Sequence, residues 1–225
     1  MNGINPFVVS LVEDEEFYPS SDGQPMAETD VHVLLMANLL SMLRHWFKKN
    51  GDVYVAANMF LYYREGHPEL RTAPDVMVIK GVDGRRRRRS FKTWEEKASP
   101  CFVLELTSKK TAKEDQVKKK QLYQALGIQE YFLFDPLHDY LPRQLLGNEL
   151  VKGKYQAMEA EEDESLVSKE LELRFIPAEA NLVVVDYRTN EPLLNPAEAY
   201  ESLERERRKN ADLAAELKRL KRKKK

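Results

Sequence analysis

The sequence predicts a mixed α/β domain in the order helix, three strands, helix, strand, with further strands and a charged helix after it. Three observations carry that expectation. Residues 26–49 place apolar side chains at helical spacing. Residues 53–106 contain apolar, β-branched runs separated by Pro, Gly and charged residues. Residues 111–126 return to a helical pattern that Gly127 closes before another apolar strand. With 225 residues, 42% of them hydrophobic, the chain suffices for one full core and is too short for two large domains. Residues 1–195 are therefore expected to form one domain and residues 196–225 an appendage.

The first helix rests on Val31, Leu34, Leu35, Leu39, Met42, Leu43, Trp46 and Phe47, which fall on one helical stripe. Asn50-Gly51 tolerates left-handed backbone and is the expected stop. A strand is expected over Val53 to Tyr62 and a second over Asp75 to Ile79, where Pro74 holds Ala73 extended. Cys101 to Leu106 forms the third and Glu130 to Asp135 the fourth, closed by Pro136. Leu145 to Gly153, Tyr155 to Met158 and Leu182 to Val185 read as short strands extending the sheet, and Glu159 to Glu164 as a solvated loop. Beyond Pro196, Leu203, Asn210 and Leu217 share one heptad position and Leu213 and Leu220 the other. This is a short coiled-coil pattern that Glu206 interrupts, so a frayed tail is the competing expectation. If the tail pairs, Asn210 favours a parallel homodimer.

Net charge is −1, but the cations are concentrated. Arg85, Arg86, Arg87, Arg88 and Arg89 are consecutive, and a basic run containing Lys221 and Arg222 ends the chain. Both runs suit phosphate contacts, and both equally suit solvated surface segments. The single Cys101 cannot form an internal disulfide, and the N-terminal residues match neither a signal peptide nor a membrane anchor. A cytoplasmic protein with no membrane partner is the expectation. No zinc-ligand spacing, phosphate-binding glycine loop or nucleophile elbow occurs.

Chemistry is suggested by acids inside apolar strands. Asp75 and Glu105 lie in segments that otherwise read as buried, where a carboxylate is costly unless it is paired or bound to a cation. Mg²⁺ or Mn²⁺, taking oxygen ligands, would resolve their repulsion. On the helix that follows, Asp115, Lys119 and Tyr123 recur every four residues and share one face. A lysine on that face would stabilise the charge of a phosphate under attack. Lys118 and Lys120 point to either side. Either acid alone would also fit a turn cap or a structural ion pair with Lys119.

Four motifs taken in order carry a resemblance: Pro74-Asp75, Phe102 to Ser108, Asp115-xxx-Lys119-xxx-Tyr123, and Gly127 to Pro136. From about Ser21 to Leu194 the chain resembles the Uma2 family of the PD-(D/E)XK nuclease superfamily. The resemblance implies a restriction-endonuclease-like core in residues 1–195, DNA as substrate and a metal-dependent endonuclease activity. It makes Asp75 and Glu105 the metal ligands and Lys119 the catalytic lysine, with Glu28 as a further acid and His32 in support. The superfamily lysine stands two residues after the second acid, where this chain has Thr107, so Lys119 would reach in from the helix instead. His32, on a helix rich in Leu and Met, also fits a packed, hydrogen-bonded histidine. The rival reading is a catalytically inactive nuclease fold that serves as a nucleic-acid-binding or assembly protein through its basic tail.

Overall fold

The protein is described here by a computed structural model covering residues 18–21, 29–108 and 114–223. Helix α1 (Asp30–Trp46) starts where the Thr29 hydroxyl accepts the His32 backbone N–H, as an N-cap does. It tightens into a 3₁₀ turn over Phe47–Lys49 before ending. The expected left-handed stop at Asn50 is not used, since Asn50 is extended and its N–H returns to the Phe47 carbonyl. Met26 to Glu28, included in the expected helix, lie outside the described residues.

Strand β1 (Val53–Ala56) ends earlier than its apolar run implies. Asn58 turns left-handed at φ 44°, and its N–H bonds to the Pro74 and Asp75 carbonyls at 3.0 and 3.2 Å, which breaks the run before β2 (Leu61–Tyr62). The latter pairs with β3 (Arg71–Thr72) and β5 (Phe91–Lys92) in a small sheet that the sequence pattern does not signal. Between those two lies β4 (Val76–Lys80). After β5 come the short helix α2 (Thr93–Glu96) and β6 (Phe102–Leu106). Residues 109–113 lie outside the description, and the helical stretch resumes as a π-turn over Glu114–Lys119 that continues into α3 (Lys120–Ala125). Gly127 follows at φ 73°, a conformation that suits glycine after a helix.

The main sheet continues through β7 (Glu130–Phe134), β8 (Leu145–Val151) and β9 (Lys154–Ala157) in the order β1-β4-β6-β7-β8-β9. It is mixed: β6 and β7 are parallel across the α3 crossover, and the other pairs are antiparallel. The strand expected at Leu182 to Val185 does not extend this sheet. As β12 (Asn181–Asp186), it closes a separate sheet with β10 (Leu166–Ser168) and β11 (Leu173–Ala178).

Alternation on the central strands produces three layers. Val76, Val78, Phe102, Leu104, Phe132 and Phe134 face α1 and the second sheet, where Leu39, Leu43 and Phe175 meet them. Met77, Ile79, Val103, Tyr131 and Leu133 face the α3 side, against Tyr123, Ile128 and the small sheet. The Cys101 thiol donates to the Val78 carbonyl, and burial pushes its pKa up to about 12. Helix α4 (Pro196–Lys223) is exposed over most of its described side chains, Leu203, Leu213, Leu217 and Leu220 among them, and only Ser202 and Glu204 are half-buried. No helix among the described residues is long and apolar enough to cross a membrane.

Candidate active site

Pairing of β4 with β6 builds the site. Val76 stands opposite Leu104, so the antiparallel register sets Asp75 opposite Glu105 at the mouth of the two strands. Glu105 occupies the row between Val103 and Thr107, on the α3 side of the sheet. The Asp75 carboxylate accepts the Leu106 N–H at 2.7 Å through Oδ2, and the Asp75 N–H points to Glu105 Oε2 at 3.3 Å. Strand geometry thus orients both acids before any side chain on a helix takes part.

The π-turn and α3 supply the third wall. Lys119 Nζ lies 3.0 Å from Glu105 Oε2 and 3.0 Å from Asp115 Oδ1. The Tyr123 hydroxyl donates to Glu105 Oε1 at 2.6 Å and lies 3.3 Å from the Thr72 hydroxyl. Tyr131 donates to the Asp115 carbonyl at 3.0 Å, holding the π-turn against β7. From α1, His32 Nε2 approaches Asp75 Oδ1 at 3.2 Å. Asp115, Lys119 and Tyr123, spaced by four residues, therefore converge on Glu105, while Lys118 is exposed on another face.

The electrostatics are unbalanced. Glu105, Asp75 and Asp115 are three carboxylates facing one ammonium. Burial lifts the Glu105 carboxyl well above the usual range, Asp75 and Asp115 add to the shift, and Lys119 opposes it. Burial works against the Lys119 charge too, yet Glu105 and Asp115 more than offset it and hold its pKa above that of a free lysine. The two directions describe one site: Lys119 stays charged, and the carboxylates in excess of it compete for a proton. An all-oxygen acid set with surplus negative charge fits a hard divalent cation. Among the described residues no group of three His, Cys, Asp or Glu side chains is already disposed around one point; Lys119 stands between Glu105 and Asp115.

Two further polar groups lie at the site, and of these Thr72 has no sequence signal. Thr72 becomes part of it only because the small sheet brings β3 against Tyr123. Thr107 is 3% exposed, and its hydroxyl has no hydrogen-bond partner among the described residues. It shares the strand face of Glu105 and stands at the position where the superfamily pattern has lysine, and its spacing from Glu105 could have marked it.

Other candidate residues are dispersed. Glu28 lies outside the described residues, as does the side chain of Arg222, and Lys221 is exposed near the end of α4. The arginine run follows Lys80 at the end of β4 away from Asp75. Arg85, Arg86, Arg87 and Arg89 are exposed. Arg88 is not a solvent-facing phosphate ligand: its side chain is 4% exposed, and Glu96 takes its Nε and Nη2 at 2.7 and 3.0 Å. A guanidinium so far removed from water requires such a partner.

A sequence model of the Uma2 family, described as "putative restriction endonuclease", matches residues 10–179. The chain belongs to the Uma2 family. The match spans α1 through β11, including every element of the site, and leaves α4 beyond its end. No curated protein matches the chain. Among solved structures, this Uma2 protein is similar to a crystal structure described as "a putative nuclease belonging to DUF820" from Anabaena variabilis. The two share 14% identity, with 66% of this chain and 76% of that one covered and a TM-score of 0.46.

Proposed function

We propose that this Uma2 protein is a metal-dependent endonuclease that hydrolyses DNA phosphodiester bonds at the Asp75–Glu105 site. The observation that carries the reading is the β4–β6 register, which sets the half-buried Asp75 opposite the buried Glu105 while Lys119 reaches Glu105 from the helical segment that follows. Asp75 and Glu105 would hold Mg²⁺ or Mn²⁺, with Glu28 as a further acid. When bound, such a cation supplies Lewis acidity toward the phosphate and lowers the pKa of a water nucleophile. Lys119 stabilises charge that builds on the phosphate oxygens. Asp115 positions Lys119, Tyr123 fixes Glu105, and His32 orients Asp75. In this reading, residues 1–195 form the nuclease domain of a cytoplasmic protein, and residues 196–225 are a tail with a basic end.

The test is cleavage of plasmid and single-stranded DNA with Mg²⁺ or Mn²⁺ by the wild type, Asp75→Asn and Lys119→Met. The wild type should cut, Asp75→Asn should not, and Lys119→Met should be slower by roughly 100-fold or more. Calorimetry should show metal binding lost in Asp75→Asn and retained in Lys119→Met. Absence of both cutting and metal binding in the wild type would move the assignment to a silent nuclease-fold scaffold acting through its basic tail. The exposed stripe of Leu213 and Leu217 supports pairing of α4 in a homodimer. Sedimentation of the full chain against Leu213→Lys/Leu217→Lys tests this, and a monomeric wild type ends the idea.

A further inference from the structure

We propose that the arginine loop and the C-terminal end of α1 form a second DNA contact, a phosphate-binding trough at the opposite end of β4 from Asp75. The proposal rests on the nuclease reading for the identity of its ligand. A concavity of about 250 Å³ is lined by Arg44 and Lys48 on one side and by Arg85, Arg86 and Arg87 on the other, over Tyr54 and Val55. No acidic residue lines it. Arg85, Arg87 and Lys48 have no carboxylate partner among the described residues, and Arg86 reaches Glu96 only at 3.5 Å.

The loop is built to present these charges. Arg88 is its internal strut: besides Glu96, it donates to the Asp83 and Arg86 carbonyls at 2.9 and 3.0 Å. Its guanidinium also lies 4.4 Å from the Tyr54 ring centroid. The Arg85 N–H bonds to Asp83 Oδ1 at 2.9 Å, closing a local turn. Gly84 seats the loop on β1, since a Cβ there would fall 2.1 Å from the Val53 carbonyl oxygen. One arginine thus folds the segment and three line the trough, which separates it from a solvated charge run.

Phosphates fit the trough better than an acidic peptide does. A peptide would dock most readily by adding a strand to the β1 edge. The Val53 carbonyl is already covered by Gly84, and the Val55 carbonyl already accepts Arg44 Nε at 3.1 Å. What remains open is positive side-chain charge, which attracts a phosphodiester backbone whatever its sequence. The β4 residues paired with the trough floor, Val78 to Lys80, stand three to five positions along the strand from Asp75, about 10–16 Å, a length of about three to five base pairs along a duplex.

Fluorescence anisotropy of the full chain with a labelled duplex in EDTA, over a range of salt concentrations, tests the proposal. Arg85→Gln/Arg87→Gln should weaken binding roughly tenfold on every duplex sequence and lower the slope of log K against log salt by about 2. Lys48→Gln, on a different element, should lower the slope by about 1, and Lys154→Gln, exposed on the far edge strand β9, should change neither. Unchanged affinity and slope in both trough variants overturn the proposal, as does equal binding of polyglutamate lost in the same variants. Hydrolysis of bis(p-nitrophenyl) phosphate, too small to span both sites, reports on Asp75 separately. Its absence in wild type with Arg85- and Arg87-dependent duplex binding would remove the nuclease reading and leave the trough standing. Hydrolysis with trough-independent binding would do the reverse.

Discussion

Glu105 on β6 and Glu130 on the parallel neighbour β7 are each 1% exposed, and burial raises the carboxyl pKa of both. Their surroundings differ in kind. Glu130 faces neutral donors: the Ser168 hydroxyl, the Lys169 N–H at 2.8 Å and the Glu170 N–H at 3.2 Å. It ties β7 to the turn between β10 and β11 and so joins the two sheets. Glu105 faces one ammonium, one phenol and two further carboxylates. Burial of an acid is therefore not what marks a candidate active site. The mark is a shell in which two further carboxylates crowd the acid around one ammonium, whereas Glu130, with Glu170 as a nearby like charge, has three neutral donors on its own oxygens.

The sharpest way to break this contrast is to remove the structural acid. Glu130→Ala leaves a hydroxyl and two backbone N–H groups without their acceptor, and should cost about 3 kcal/mol. Urea unfolding measures it, and a loss below about 1 kcal/mol would mean that water or other groups replace the carboxylate. Tyr123→Phe should act on binding instead, weakening metal affinity by about tenfold through a less firmly held Glu105, with calorimetry as the readout. An equal effect of Ser168→Ala on metal affinity would erase the distinction between the two shells.

Glu105→Gln should move stability the other way from Glu130→Ala, raising it by about 1 kcal/mol in metal-free protein because crowding with Asp75 and Asp115 is relieved. Thermal melting in EDTA would show this, and a lowered Tm would count against surplus negative charge at the site. The smallest effect is in the pH profile. A raised Glu130 pKa means that the folded state holds its proton where the unfolded chain has lost it. Its contribution is thus complete below the unfolded glutamate pKa and declines as pH rises through the folded one. Glu130→Gln should flatten that declining limb, and an unaltered limb would place its origin elsewhere.

Much of the architecture was legible because periodicity is local. The apolar stripe of α1, the runs of β4, β6 and β7, and the four-residue spacing of Asp115, Lys119 and Tyr123 are visible without coordinates. The small sheet was not, since β2, β3 and β5 have two residues each, too few to display an alternation. The break at Asn58 was hidden because it depends on carbonyls of Pro74 and Asp75. Of the separate sheet, only the strand at Leu182 to Val185 is expected from the sequence, and it is placed in the main sheet, because a strand pattern identifies a face to bury and does not name the sheet that buries it; β10 and β11 are absent from that expectation.

By itself, the sequence determined which residues carry unusual chemistry: acids in apolar strands, a lysine in step with an acid and a tyrosine, and a block of arginines. Local patterns suffice for that, because the cost of burying charge is a property of each segment. Only the tertiary structure decided which of these groups meet. Long-range register set Asp75 against Glu105, the small sheet brought Thr72 to Tyr123, and pairing with Glu96 turned Arg88 inward while its neighbours stayed exposed. Those outcomes depend on contacts between residues far apart in the chain, whose free energies are settled only when all the layers pack together.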